Sequence, residues 1–181
     1  MNKMNCDISA VLFDEYKIQT RIHELGLEIS NSYRGSIPVL IGILKGGFIF
    51  LADLARSITI PIEVDFLAIS SYGSNTSSSG VVKIRKDIDI DISGRDVIVI
   101  EDIVDTGLSL AYIKDYLWQH KPASLKTCVL LDKPDAHKTD VTFDYIGFSI
   151  KNEFVVGYGL DYAEKYRNLP FIGILKEELY R

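Results

Sequence analysis

A chain of 181 residues, 47% apolar and 25% charged, is long enough to bury one proper core and too ordinary in composition for wholesale disorder. Its 20 Lys and Arg against 25 Asp and Glu leave a formal charge of −5. That excludes the broad basic surface nucleic acid requires, so an anionic ligand must find local cations.

The N-terminus is broken by polar and acidic residues before any signal-like apolar core can form, and the longest apolar runs, such as Pro38 to Leu44, are strand-sized. Cys6 and Cys128 have no metal-ligand spacing, and Cys128 lies in an apolar run that reads as core. A reduced, cytoplasmic protein with no membrane span is expected.

Ile18, Ile22, Leu25 and Ile29 recur at helical spacing and predict an amphipathic first helix ending near Tyr33-Arg34-Gly35. Val39 to Leu44 reads as a buried strand, Lys45-Gly46-Gly47 as a turn, and Phe48 to Ser57 as a helix. Ile62 to Ser70, Val81 to Arg85 and Val97 to Ile100 read as further strands. The segment between the first two, 70–81, is almost all Ser, Gly and Asn, which suits either a surface loop or a lid that closes over a reaction. A helix carrying Leu110, Ile113 and Leu117 on one side stops at Lys121-Pro122, and Thr127 to Leu131 is the next strand.

Strands that alternate with helices and read as near-continuous apolar runs predict an α/β fold, a central parallel twisted sheet with helices on both faces. From Thr142 onward the pattern changes. Tyr145 to Ile150, Phe154 to Tyr158 and Phe171 to Leu175 are short, aromatic-rich strand candidates and predict a smaller subdomain beside the sheet.

The most informative stretch is Val97 to Leu110, VIVIEDIVDTGLSL: a strand, two adjacent carboxylates, a third three residues later, then a turn opening a helix. The free N–H groups and positive dipole end at such a turn suit a phosphate. Glu101, Asp102 and Asp105 would repel one unless they face hydroxyls, a cation or developing positive charge. No Walker A or dinucleotide fingerprint is present. What fits is a phosphate held by the N–H groups of Thr106, Gly107, Leu108 and Ser109, with a sugar offering its hydroxyls to Glu101 and Asp102. Lys45-Gly46-Gly47 and Asp132-Lys133-Pro134 fall at two further strand ends, where open α/β sheets bind ligands. Alone, the first could be a Gly-rich helix entry and the second a solvated lysine.

EDIVDTGLS after VIVI resembles the phosphoribosyl pyrophosphate signature of type I phosphoribosyltransferases. LKGG at Leu44 to Gly47 is similar to that family's pyrophosphate loop, SSYG at Ser70 to Gly73 to its mobile lid, and DKP at Asp132 to Pro134 to its purine-binding lysine. The tail Phe154 to Pro170, FVVGYGLDYAEKYRNLP, resembles the purine-site segment of the hypoxanthine (or hypoxanthine-guanine) branch, and the chain is identified as bacterial-type.

The resemblance implies one domain over 1–181, with a core over about 35–132, a hood mainly from about 133–181 plus part of the N-terminal segment, and a lid over about 70–81. It implies purine salvage: transfer of a 5-phosphoribosyl group from 5-phospho-α-D-ribose 1-diphosphate to hypoxanthine, and to guanine, releasing pyrophosphate.

By the same resemblance, Glu101 and Asp102 hold the ribose hydroxyls directly or through magnesium, and Asp105 is the base for the purine N7 proton. Residues 105–109 cradle the 5′-phosphate. Lys45 and Gly46 contact pyrophosphate, at a peptide bond the family often holds cis. Lys133 donates to the purine O6, Phe154 stacks on the ring and the backbone of Val155 reads its edge. Asp161 holds a second Mg²⁺ through water, Arg167 binds pyrophosphate, and Ser71 and Tyr72 close over the reaction. A homodimer or homotetramer is implied, with small-molecule substrates as the other partners.

Two departures from the family stand out. Arg residues commonly follow the Lys-Pro, whereas here the run is Asp135-Ala136-His137-Lys138, so that Lys138 or His137 is left to substitute. Ser109 stands where many relatives have Thr. The rival reading is a phosphoribosyl-pyrophosphate-sensing regulator, which would not need Lys133, Phe154 or the lid and would carry an accessory basic face.

Overall fold

A computed structural model describes residues 3–71 and 82–180. After a short helix α1 (Lys3–Cys6) and strand β1 (Ile8–Phe13), helix α2 (Glu15–Ser32) starts at Asp14, whose carboxylate accepts from the Lys17 N–H at 2.8 Å. Then come β2 (Val39–Leu44), α3 (Phe48–Ser57), β3 (Glu63–Ser71), β4 (Val82–Lys86), β5 (Asp96–Val104), α4 (Leu108–Trp118) and β6 (Ser124–Asp132). Strands β7 (Tyr145–Ser149), β8 (Val155–Val156) and β9 (Ile172–Leu175) complete the order.

The main sheet runs β4-β3-β2-β5-β6-β7, parallel throughout except for the antiparallel edge strand β4. Alternate strand residues feed two cores. Leu40, Ile98, Ile100, Cys128 and Leu130 pack against Ile18, Ile22, Leu25 and Ile29 of α2 and Phe50, Leu51 and Leu54 of α3. Val39, Ile41, Val97, Val99 and Val129 pack against Leu110, Ile113 and Leu117 of α4. Each fully buried aliphatic side chain contributes about 1.5–3 kcal/mol, so both faces of the sheet are anchored independently.

A second sheet, ordered β1-β9-β8 and antiparallel, joins the N-terminal segment to the tail. One of the three short strands expected beside the main sheet lies elsewhere. Tyr145–Ser149 is the parallel edge of the main sheet, with Cys128 opposite Tyr145, because the 12 residues between β6 and β7 carry the chain back along the sheet without a full helix. Its place in the small sheet is taken by β1.

The small sheet is tied down by a strap over 157–160. The Tyr158 hydroxyl donates to Asp53 of α3, which also accepts from Gln19 of α2 at 2.7 Å. No described helix is long and apolar enough to cross a membrane.

Candidate active site

Three loops meet above the carboxyl ends of β2, β5 and β6. The register that pairs Val104 with Asp132 carries the next residue of each strand, Asp105 and Lys133, to one edge, with the Lys133 N–H donating to the Val104 carbonyl at 3.0 Å. There Lys133 Nζ stands 3.7 Å from Asp105 Oδ2, the lysine buried and the aspartate half exposed. A cavity of about 230 Å³ opens beside them, walled by Asp102, Ile103, Asp105, Lys133, Phe154, Val155, Leu160 and Asp161.

A second, smaller cavity of about 120 Å³ adjoins it, lined by Glu101 and by residues of the turn from Asp105 to Ser109. Gly107 caps α4 at φ 79°, and the first turn of that helix leaves its N–H groups without intrahelical acceptors. A Cβ on Gly107 would also lie 2.8 Å from Val141 Cγ1, so the connection after β6 packs under the turn. The Lys138 N–H reinforces this by donating to the Thr106 carbonyl at 2.9 Å.

Glu101 and Asp102, successive residues of one strand, serve different compartments. Glu101 faces the smaller cavity, and its buried Oε2 has no hydrogen-bond partner among the described residues. Burial, then the charge of Asp102, pushes its carboxyl well above the usual range. Asp102 faces the other cavity and the turn after β2, where it fills the space a side chain on Gly46 would need. Burial raises its pKa too, against the lowering pull of the Ile103 N–H, its own N–H and Arg167, while Asp161 adds to the rise. Each buried carboxyl offers hard oxygen atoms to a divalent cation on its own side of the strand; among the described residues no three His, Cys, Asp or Glu gather as a ready-made metal site, so ligand hydroxyls or water would have to complete the shell.

The Leu44–Lys45 peptide bond is cis, as the resemblance implies for this loop. Lys45 Nζ reaches Glu164 Oε1 at 3.0 Å, and Arg167 pairs with Asp161 at 2.8 Å and with Glu164 at 3.4 Å. Arg167 also donates to the Gly159 carbonyl at 2.8 Å.

Of the expected residues, Glu101, Asp102, Asp105, Thr106, Gly107, Ser109, Lys133, Phe154, Val155 and Asp161 line the two cavities, Gly46 meets Asp102, and Lys45 and Arg167 border a neighbouring groove; Leu108 lines none of these, and Ser71 is fixed only as the last residue of β3. Tyr72 and most of the expected lid lie outside the described residues. Of the two candidates for the missing arginines, His137 is held with Nε2 2.8 Å from Asp132 Oδ1, whereas Lys138 is exposed and bonded through its backbone N–H.

Three features had escaped the sequence reading. Phe154 is stacked on Tyr180, 4.6 Å between centroids, and meets Tyr162 edge-on at 5.6 Å. Ile103 and Leu160 add apolar wall to the larger cavity. Glu164 bridges two cations. Only the aromatic density of the tail hinted at the first.

A family profile described as phosphoribosyl transferase domain matches residues 12–163. The chain is 49% identical to the hypoxanthine-guanine phosphoribosyltransferase of Bacillus subtilis, covering 98% of each. It is 51% identical to the enzyme of the same name from Mycobacterium tuberculosis, covering 97% of this chain and 90% of that one. A crystal structure of a hypoxanthine phosphoribosyltransferase from Staphylococcus aureus superposes with a TM-score of 0.96 at 46% identity, covering 100% of this chain and 99% of that one. With the strand register, the turn into α4 and the paired Lys133 and Asp105 already in place, these likenesses extend over the whole fold, and the chain belongs to the phosphoribosyltransferase family.

Proposed function

We propose that this protein is a purine-salvage transferase that moves the 5-phosphoribosyl group of 5-phospho-α-D-ribose 1-diphosphate onto hypoxanthine and guanine, giving IMP or GMP and pyrophosphate. The observation that carries the base assignment is the 3.7 Å between Lys133 Nζ and Asp105 Oδ2. A 6-oxopurine presents O6, an acceptor, beside N7–H, a donor, on one edge. A lysine beside a carboxylate matches that pair in order and spacing. Adenine would set an amino donor against the lysine.

In this reading Phe154, backed by Tyr180, supplies one face of the base site and Ile103 apolar wall elsewhere, while the backbone of Val155 reads the far edge. As N9 bonds to the anomeric carbon, the bond from that carbon to pyrophosphate breaks, and Asp105 takes the N7 proton the product no longer needs. Thr106 to Ser109 hold the 5′-phosphate through N–H groups, with hydroxyl help from Thr106 and Ser109. Lys45, Gly46 and Arg167 receive the pyrophosphate, and Ser71 and Tyr72 cover the site.

Glu101 and Asp102 would reach the ribose hydroxyls each from its own side of β5, directly or through Mg²⁺, and Asp161 would hold a second ion through water. When bound, Mg²⁺ neutralises charge on the leaving group. The carboxylates of Glu101 and Asp102 also favour positive charge developing at the anomeric carbon.

The sensor alternative is not favoured, since the purine-edge pair and the stacked Phe154 have no use in it. One domain with a hood, a cytoplasmic location and a homodimer or homotetramer complete the proposal. Pyrophosphate release measured with hypoxanthine, guanine, xanthine and adenine in parallel tests it. Release is expected with the first two and little with adenine; no release with any base would leave the sensor standing.

A further inference from the structure

The two cations that the proposed function assigns to pyrophosphate already hold an anion of the chain's own. Glu164 places one carboxylate oxygen 3.0 Å from Lys45 Nζ and the other 3.4 Å from Arg167 Nη2. The three residues border one open groove floored by Leu44, Phe48 and Phe66. A turn sets Glu164 there. Ala163 and Glu164 are consecutive non-glycine residues with positive φ, 50° and 62°, a backbone that side chains seldom adopt without a reason. The Glu164 N–H is fixed to Asp161 Oδ2 at 2.9 Å, and Tyr162 pairs with Lys165 across the turn.

We propose that Glu164 is an internal competitor for pyrophosphate: its carboxylate bridges Lys45 and Arg167 in the empty enzyme and must give them up when the diphosphate arrives. The assignment rests on the proposed function. Lys45 and Arg167 sit on different loops, and Glu164 spans both as a diphosphate would, with one oxygen to each. The exchange keeps the cations paired at every stage, so neither wanders when the site empties. It also takes free energy away from diphosphate binding, which weakens the hold on substrate and product alike and favours release of the product. Lys45 and Glu164 are each about two-thirds exposed, at 67% and 66%, so the contest takes place in water and its effect is modest.

The test is calorimetric titration of E164Q and E164A with inorganic pyrophosphate in the presence of Mg²⁺, alongside pyrophosphate inhibition of the forward reaction. Both variants should bind pyrophosphate about three-fold more tightly than the parent, and the gain should shrink with added salt. In a K45A background the gain from E164Q should be reduced, since half of the competition has gone.

A purely structural role for Glu164 gives the opposite sign, because a loosened turn would misplace Arg167 and weaken binding. Unchanged or weaker pyrophosphate binding in both variants overturns the proposal. The titration needs no nucleobase. Turnover of hypoxanthine without tightening would overturn this inference alone, and tightening without turnover of any base would overturn the function alone.

Discussion

The carboxylate of Asp102 lies in the space that a side chain on Gly46 would enter, and a Cβ added there would stand 3.1 Å from one carboxylate oxygen and on top of the other. The turn after β2 and the acidic end of β5 are thus packed backbone against carboxylate. Gly46→Ala should push the two apart. We expect kcat to fall by about 100-fold, the size of effect that a displacement of about 1 Å produces. Steady-state kinetics with a melting curve checks this; near-normal turnover would mean that the turn can move without harm.

Lys133 and Asp105 should fail in different ways. Lys133→Ala removes the proposed donor to the purine and should raise the KM for hypoxanthine roughly ten-fold or more while leaving the sugar-phosphate KM less affected. Asp105→Asn keeps the turn's N–H groups and removes the proposed base, so kcat should fall about 100-fold with binding of the sugar diphosphate still measurable. A larger rise in the sugar-phosphate KM for the lysine variant, or an unchanged rate for the aspartate variant, would reverse these assignments.

Tyr180 touches no cavity described above, yet its ring backs Phe154 at 4.6 Å and 20° between planes. Tyr180→Ala should let the Phe154 ring turn and raise the purine KM roughly two- to ten-fold, the range of one aromatic pair. Tyr180→Phe keeps the stack and should behave as the parent does. Parallel KM values for the two variants decide it.

Asp65, buried on β3, fixes the segment that leaves β4. Its carboxylate accepts from the N–H groups of Phe66, Asp89 and Ile90 at 2.6–2.9 Å and faces Lys86 at 3.4 Å. Burial works to raise its pKa, but those N–H groups and the lysine outweigh it and hold the carboxyl below the ordinary aspartate range. A carboxyl depressed in the folded state adds stability above its unfolded pKa of about 3.9, and loses it as pH falls through the lower folded value. Asp65→Asn should therefore cost about 2 kcal/mol at neutral pH, and the gap to the parent should narrow below about pH 4. Denaturant midpoints across pH read the gap; one that widens on acidification would contradict the sign.

Local pattern was enough where one face of an element meets the core. The bounds of α3, Phe48–Ser57, and of β2, Val39–Leu44, follow from apolar periodicity and the flanking turn. Pattern failed where pairing or charge decides. β5 continues past Ile100 to Val104, because its ladder with β6 still pairs Glu101 with Val129 and Ile103 with Leu131 while Glu101 and Asp102 turn to the cleft and Val104 stays in the core. β1 went unread because half of it is exposed and its partner β9 is about 160 residues away. The site followed the same division. Motifs with local spacing were visible, whereas Glu164 acquires its meaning from Lys45, 119 residues earlier.

The alternation at Glu101 and Asp102 makes β5 a ruler for the chemistry. Side chains of a strand change face at every residue, so adding or deleting a single residue between Asp96 and Glu101 would exchange the two carboxylates between compartments. It would also put Asp105 out of step with Lys133. Such a change would leave the hydropathy of the strand nearly untouched and would still dismantle the site. Length changes in this family should therefore gather in the connections between strands, and β5 should keep its residue count however far its sequence drifts.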